Sequence, residues 1–148
     1  MPESSKRERS RAAVRDAVAH AGATEPKAPS RGQDPLSGEL RRREVLPLLV
    51  LHLIAAGPSY GNQLMERIAG MTEGVLTVNP NTMYPLLRRL EARGSIEGQW
   101  EHPERRTRRF YSITDAGQDE YSRLLEDVRP FLDSVARSID EIVREVYG

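Results

Sequence analysis

The sequence predicts a mainly α-helical protein with a small β-hairpin, a winged helix-turn-helix followed by one long C-terminal helix. Three observations carry that prediction. A short helix starting at Pro80 has one apolar seam and one basic outer face. Immediately after it, apolar residues switch from helical spacing to strict alternation, first around Trp100 and again around Tyr111. From Tyr121 to Val146 an apolar seam then recurs at spacings of four and three without a break.

The length of 148 residues suits one domain with a tail. Aromatics are scarce, with 2 Phe, 5 Tyr and 1 Trp, so a small helical core fits better than a large sheet core. The absence of cysteine excludes disulfides and thiolate metal sites, and it fits a cytoplasmic protein. The longest apolar run, Val45 to Ala56, is interrupted by Pro47 and His52 and is too short to span a bilayer, so no membrane partner is expected. Net charge is zero, but it is unevenly distributed. Residues 1–37 carry 7 basic and 5 acidic side chains, residues 38–113 carry 11 and 8, and residues 114–148 carry 4 and 9. A basic middle and an acidic end suggest a DNA-reading module joined to a part with another task.

Residues 1–37 read as a flexible N-terminal tail, broken by Pro26, Pro29 and Pro35 and nearly free of large apolar side chains after Val18. A basic arm that reaches DNA is the sharper alternative for this segment. Residues 38–113 read as the winged module. Its first helix ends at Ala56 before Gly57-Pro58, holds Pro47 in its first turn, and is apolar all round, which predicts burial. His52 on this helix reads as a core histidine. The second helix is expected to start from Ser59 as cap and to bury Leu64, Met65 and Ile68; Val75 to Thr77 reads as a short strand.

The third helix has the clearest boundaries. Asn79 can cap it, Pro80 stands where a missing N–H costs nothing, and Gly94 supplies the left-handed stop. Met83, Leu86, Leu87 and Leu90 form its buried seam. The other side carries Asn81, Thr82, Tyr84, Pro85, Arg88 and Arg89, hydrogen-bonding and cationic groups on a rod that fits a DNA major groove. Tyr84 lies outside the seam, which favours a DNA contact over a half-buried packing role. Strands around Trp100 and Tyr111 flank a polar, basic stretch from His102 to Arg108, which predicts a wing. Arg105, Arg106 and Arg108 are its candidate DNA contacts. Trp100 is expected to pack on a neighbouring strand or helix.

Residues 114–148 read as a dimerisation helix capped by Thr114. Its seam is Tyr121, Leu125, Val128, Leu132, Val135, Ile139, Ile142 and Val146, assigned to a homodimer interface because a helix this long cannot bury its stripe on a small module alone. Capping by the same chain is the alternative, and it would leave part of the stripe exposed. Pro130 predicts a bend near Arg129.

Three strings together resemble the PadR family of bacterial transcriptional regulators: Gly57-Pro58-Ser59-Tyr60-Gly61, Asn79-Pro80-Asn81-Thr82-Met83-Tyr84-Pro85-Leu86-Leu87-Arg88-Arg89-Leu90-Glu91, and Arg108-Arg109-Phe110-Tyr111-Ser112-Ile113-Thr114-Asp115-Ala116-Gly117. The resemblance covers about residues 44–118, and the C-terminal helix extends it to the end. It implies a homodimeric repressor on a roughly palindromic operator in double-stranded DNA, with Tyr84, Thr82 and Arg88 on the reading helix. A single C-terminal helix resembles the shorter subgroup, some members of which bind planar aromatic or drug-like effectors at the dimer interface. This chain departs from the family at Asn62, often tyrosine, and at Pro103-Glu104-Arg105-Arg106-Thr107, usually a Gly-Arg-Pro-like turn.

Near-neutral total charge keeps a second reading open, a winged protein-interaction module that does not read DNA. Neither a cofactor nor a metal is expected. An enzyme is not expected either, because no nucleophile elbow, phosphate loop, metal-ligand cluster or paired carboxylates stand out.

Overall fold

A computed structural model describes residues 43–148, apart from the side chains of residues 105–107. The tail assigned to residues 1–37 lies outside the described residues. The elements in order are α1 (Val45–Ala56), β1 (Ser59–Tyr60), α2 (Gly61–Met71), α3 (Pro80–Ala92), β2 (Ile96–His102), β3 (Arg105–Ile113) and α4 (Asp115–Tyr147). The strands form one antiparallel sheet in the order β1-β3-β2. This is a winged helix-turn-helix with a long C-terminal helix. Among the described residues no helix is long and apolar enough to cross a membrane.

The central helix is α1. Val50 and Leu51 are fully buried and Ile54 nearly so, and Pro47 sits in the first turn, where no backbone donor is lost. One core joins α1 to Leu64 and Ile68 of α2, Met83, Leu87 and Leu90 of α3, Ile96 of β2, Tyr111 of β3, and Leu124 and Val128 of α4. His52 departs from its expected place: it faces outward, and its Nδ1 is hydrogen-bonded to the Tyr121 hydroxyl at 2.7 Å. A helix with seven buried apolar side chains still has one rim, and the imidazole occupies it.

Two local expectations are corrected. Ser59 does not cap α2; it is buried in β1, with its hydroxyl donating to the Gly57 carbonyl at 3.0 Å. Tyr60 takes the cap position, and its N–H donates to the Gln63 side chain at 3.0 Å. Residues 75–77 form no strand. Instead the Thr72 hydroxyl donates to the Ile68 carbonyl at 2.9 Å and accepts from the Leu76 N–H at 3.1 Å, which folds the connector tightly and buries Leu76.

The wing is also longer than expected. β3 begins at Arg105, so the basic stretch belongs to the strand, and only Pro103 and Glu104 separate it from β2. Continued pairing down to His102 opposite Arg105, past an irregularity after Trp100, satisfies backbone groups that a loop would leave to water.

The root of α4 is locked to the turn that follows α3. The Thr114 hydroxyl donates to the Ser95 carbonyl and accepts from the Gly117 N–H, each at 3.0 Å. Gly117 is buried so closely on this turn that a Cβ there would stand 2.0 Å from the Ser95 carbonyl oxygen. Glu120 accepts a hydrogen bond from Ser95 and an ion pair from Arg93 at 3.0 Å. Beyond this root the seam divides. Val128 is 2 % exposed within its own chain and Tyr121 bonds to His52, so these two of the predicted interface residues serve the α1–α4 contact. Leu125, Leu132, Ile142 and Val146 are exposed, and Val135 and Ile139 are half-buried. Pro130 lies inside α4 without ending it.

Candidate nucleic-acid interface

The position of α3 follows from its own sequence. The Asn79 side chain accepts from the Thr82 N–H at 3.0 Å, capping a helix whose first residue is Pro80. At the other end Gly94 adopts φ 78°, which lets its N–H reach the Glu91 carbonyl at 3.0 Å and the Ser95 N–H reach the Leu90 carbonyl at 2.9 Å. Met83, Leu87 and Leu90 are completely buried and Leu86 is nearly so. With both ends closed and one side sunk in the core, the outer side is held in a fixed orientation.

That outer side carries Asn81, Arg88 and Arg89, all exposed, with Thr82 half-buried beside them. Arg88 and Arg89 have no ion-pair or hydrogen-bond partner among the described residues. Other arginines near them are engaged: Arg93 with Glu120, Arg109 with Glu91, and Arg108 with Glu101 at 3.5 Å. An open groove of about 590 Å³ runs between this side of α3 and the start of α1, bordered by Asn81, Thr82, Arg88, Glu44 and Pro47. Two uncompensated guanidinium groups in the C-terminal half of a rigid helix can donate to phosphate oxygens or to guanine edges.

Tyr84 is placed differently from the other four. Its ring is half-buried against the core and lies across Gly61, where a Cβ would come 2.8 Å from the ring. Its hydroxyl is 3.4 Å from Asn62 Oδ1 at the edge of this contact. Gly61 is therefore small because the tyrosine needs the space, and Asn62 meets the hydroxyl where the family often has an aromatic residue. What Tyr84 can offer a ligand is its hydroxyl rather than its ring face.

In the wing, Arg108 is exposed, stacks over the Tyr60 ring at 4.8 Å and faces Glu101. Tyr60 in turn stacks on Phe110 with centroids 3.9 Å apart. Arg105 and Arg106 lie on β3, and their side chains are outside the described residues. Trp100 is 38 % exposed, and it packs under the Arg109 guanidinium, 5.3 Å from the ring centroid. Burial pushes the Tyr111 phenol above its ordinary 10.0; the charge of Arg109 opposes the shift, while Glu91 and Tyr84 add to it.

Sequence reasoning missed three residues of this region: Glu91, Arg109 and Glu120. The signal for Glu91 was present, since an acid in the last turn of a helix opposes the helix dipole and calls for a compensating partner. Glu120 carried no such mark, because Ser95, which donates to it, stands on a turn 25 residues away. Among the described residues no group of side chains could hold a metal ion.

Comparison with known proteins identifies the architecture. Residues 50–123 match the transcriptional regulator PadR-like family. The chain is 32 % identical over 107 residues to the transcriptional regulator Rv3488 of Mycobacterium tuberculosis, a match covering 72 % of this chain and 87 % of that protein. It is also similar to the structure of a transcriptional regulator from Clostridium thermocellum, with TM-score 0.58 and 25 % identity over 67 % of this chain and 96 % of that one. A PadR family transcriptional regulator from Eggerthella lenta superposes with TM-score 0.50 and 28 % identity, covering 74 % of this chain and 89 % of that one. With the family match running from the middle of α1 to the root of α4, this chain belongs to the PadR-like family of transcriptional regulators.

Proposed function

We propose that this regulator is a ligand-responsive repressor that binds a pseudo-palindromic operator as a homodimer, with α3 in the major groove and the wing on the backbone. The observation that carries the DNA-reading part is the pair of uncompensated arginines, Arg88 and Arg89, on the closed and rigid α3, in a chain whose total charge is zero. Asn81, Thr82 and the Tyr84 hydroxyl complete the helix surface, and Arg105, Arg106 and Arg108 supply the wing. Homodimerisation is supported by the distal part of α4, where Ile142 is 58 % and Val146 is 66 % exposed on an apolar stripe that the described residues leave uncovered. Two such stripes pressed together form an apolar seam suited to a planar aromatic or hydrophobic effector. Binding there would alter the separation of the two reading helices, and half-sites would lie about one helical turn, roughly 34 Å, apart.

The test is a titration of the purified protein on DNA from upstream of its own operon, across a range of salt, for wild type and Arg88→Ala. Binding that weakens with salt, with a slope about one unit shallower in Arg88→Ala, supports the reading. A protein that fails to bind at low salt would instead be a winged module for protein partners.

A further inference from the structure

Glu91 stands in the last turn of α3, on the helix that carries Arg88 and Arg89, yet it points to the wing. It accepts from the Arg109 guanidinium and from the Gly98 N–H at 3.3 Å, so one carboxylate holds both strands of the hairpin. Arg109 is fixed from the other side by the Trp100 ring at 5.3 Å. Gly98 leaves the space this requires, because a Cβ there would lie 2.3 Å from Arg109 Nε. Acid, arginine, tryptophan and glycine are all accounted for by one contact between the reading helix and the wing. The pair is about 30 % exposed on each side, which shields it partly from water.

We infer that Glu91 and Arg109 are positioning residues for DNA recognition: their ion pair sets the angle between α3 and the wing, so that both reach the same half-site. The inference rests on the DNA-reading role proposed above. A carboxylate near a phosphate backbone is repulsive, so removing a bystander Glu91 would tighten DNA binding. Removing a positioning Glu91 loosens the wing and weakens binding.

The experiment measures operator affinity across salt, together with thermal unfolding, for wild type, Glu91→Ala and Gly98→Ala. Glu91→Ala is expected to bind about tenfold more weakly, the scale of one lost charge-assisted contact, with a shallower salt slope as wing phosphates disengage. Gly98→Ala keeps every charge but displaces Arg109, and it is expected to lose affinity in the same direction. Affinity in Glu91→Ala equal to or tighter than wild type overturns the positioning role and leaves DNA reading intact. So does a Gly98→Ala protein that binds like wild type. A wild type that binds no DNA overturns both the DNA-reading role and this one.

Discussion

Gly117→Ala sets helix propensity against packing. Gly117 lies in the first turn of α4 with ordinary helical geometry, and replacing a helical glycine by alanine generally stabilises by about 1 kcal/mol. Here the added methyl would sit 2.0 Å from the Ser95 carbonyl oxygen and 2.8 Å from the Ile113 side chain. The oxygen is backbone, and it is held by the Thr114 N–H at 3.2 Å and the Thr114 hydroxyl at 3.0 Å, so it cannot rotate away. The root of α4 must move outward by more than an ångström. Overpacking of this kind costs roughly 1–3 kcal/mol. Loosening the Thr114 cap adds about 1 kcal/mol. After the propensity gain, a net loss near 2 kcal/mol remains, or a midpoint lowered by roughly 10 °C for a domain of this size. Urea and thermal unfolding followed by circular dichroism measure it. An alanine variant as stable as wild type, or more stable, would refute the reasoning, because it would show that the α4 root has slack.

Other expectations follow from the same contacts. Leu124 is 1 % exposed between α4 and the core, so Leu124→Ala should cost about 3 kcal/mol in urea unfolding at any protein concentration. Ile142→Ser, at a site 58 % exposed, should change stability by less than about 0.5 kcal/mol at high dilution. At high concentration the same variant should sediment as a smaller species than wild type. Asn79→Ala removes the α3 cap and should lower stability by about 1 kcal/mol, with Asn79→Asp retaining most of it. The Tyr111 phenol is raised above 10.0 by burial, so the folded chain keeps that proton longer than the unfolded chain. Its contribution is therefore present below pH 10 and is lost as pH rises beyond it; Tyr111→Phe should show a flatter decline in an alkaline unfolding series.

What could be read from the sequence was what neighbouring residues decide. Asn79, Pro80 and Gly94 set the limits of α3 through contacts no more than a few residues apart, and both ends lie where the residue types require. The Thr114 cap and the unbroken apolar period of α4 are equally local. β1 was missed because Ser59 and Tyr60 become a strand only by pairing with Tyr111 and Phe110, some 50 residues later. The division of the α4 seam was hidden for a related reason. Val128 and Leu132 carry the same signal in sequence, yet among the described residues Val128 is buried and Leu132 is exposed, a difference set by how α1 lies along α4. Among the candidate DNA contacts, periodicity separated Asn81, Arg88 and Arg89 from the core, but it could not show that the Tyr84 ring lies over Gly61. That depends on how α2 crosses α3.

The tight seat of Gly117 has a mechanical consequence. α4 has 33 residues and, at about 1.5 Å per residue, extends roughly 50 Å from its root. At that length a tilt of about 5° at the root sweeps the far end through about 4 Å, so α4 is a long lever with a short, stiff fulcrum beside the end of α3. For a dimer joined along the distal stripe, any play at the fulcrum would be magnified into a misfit of the opposing apolar side chains. The gearing also runs in reverse. A shift of a few ångströms between the far ends returns to α3 as only a few degrees of rotation, so an effector lodged there would act as a fine adjustment of the reading heads rather than a coarse one.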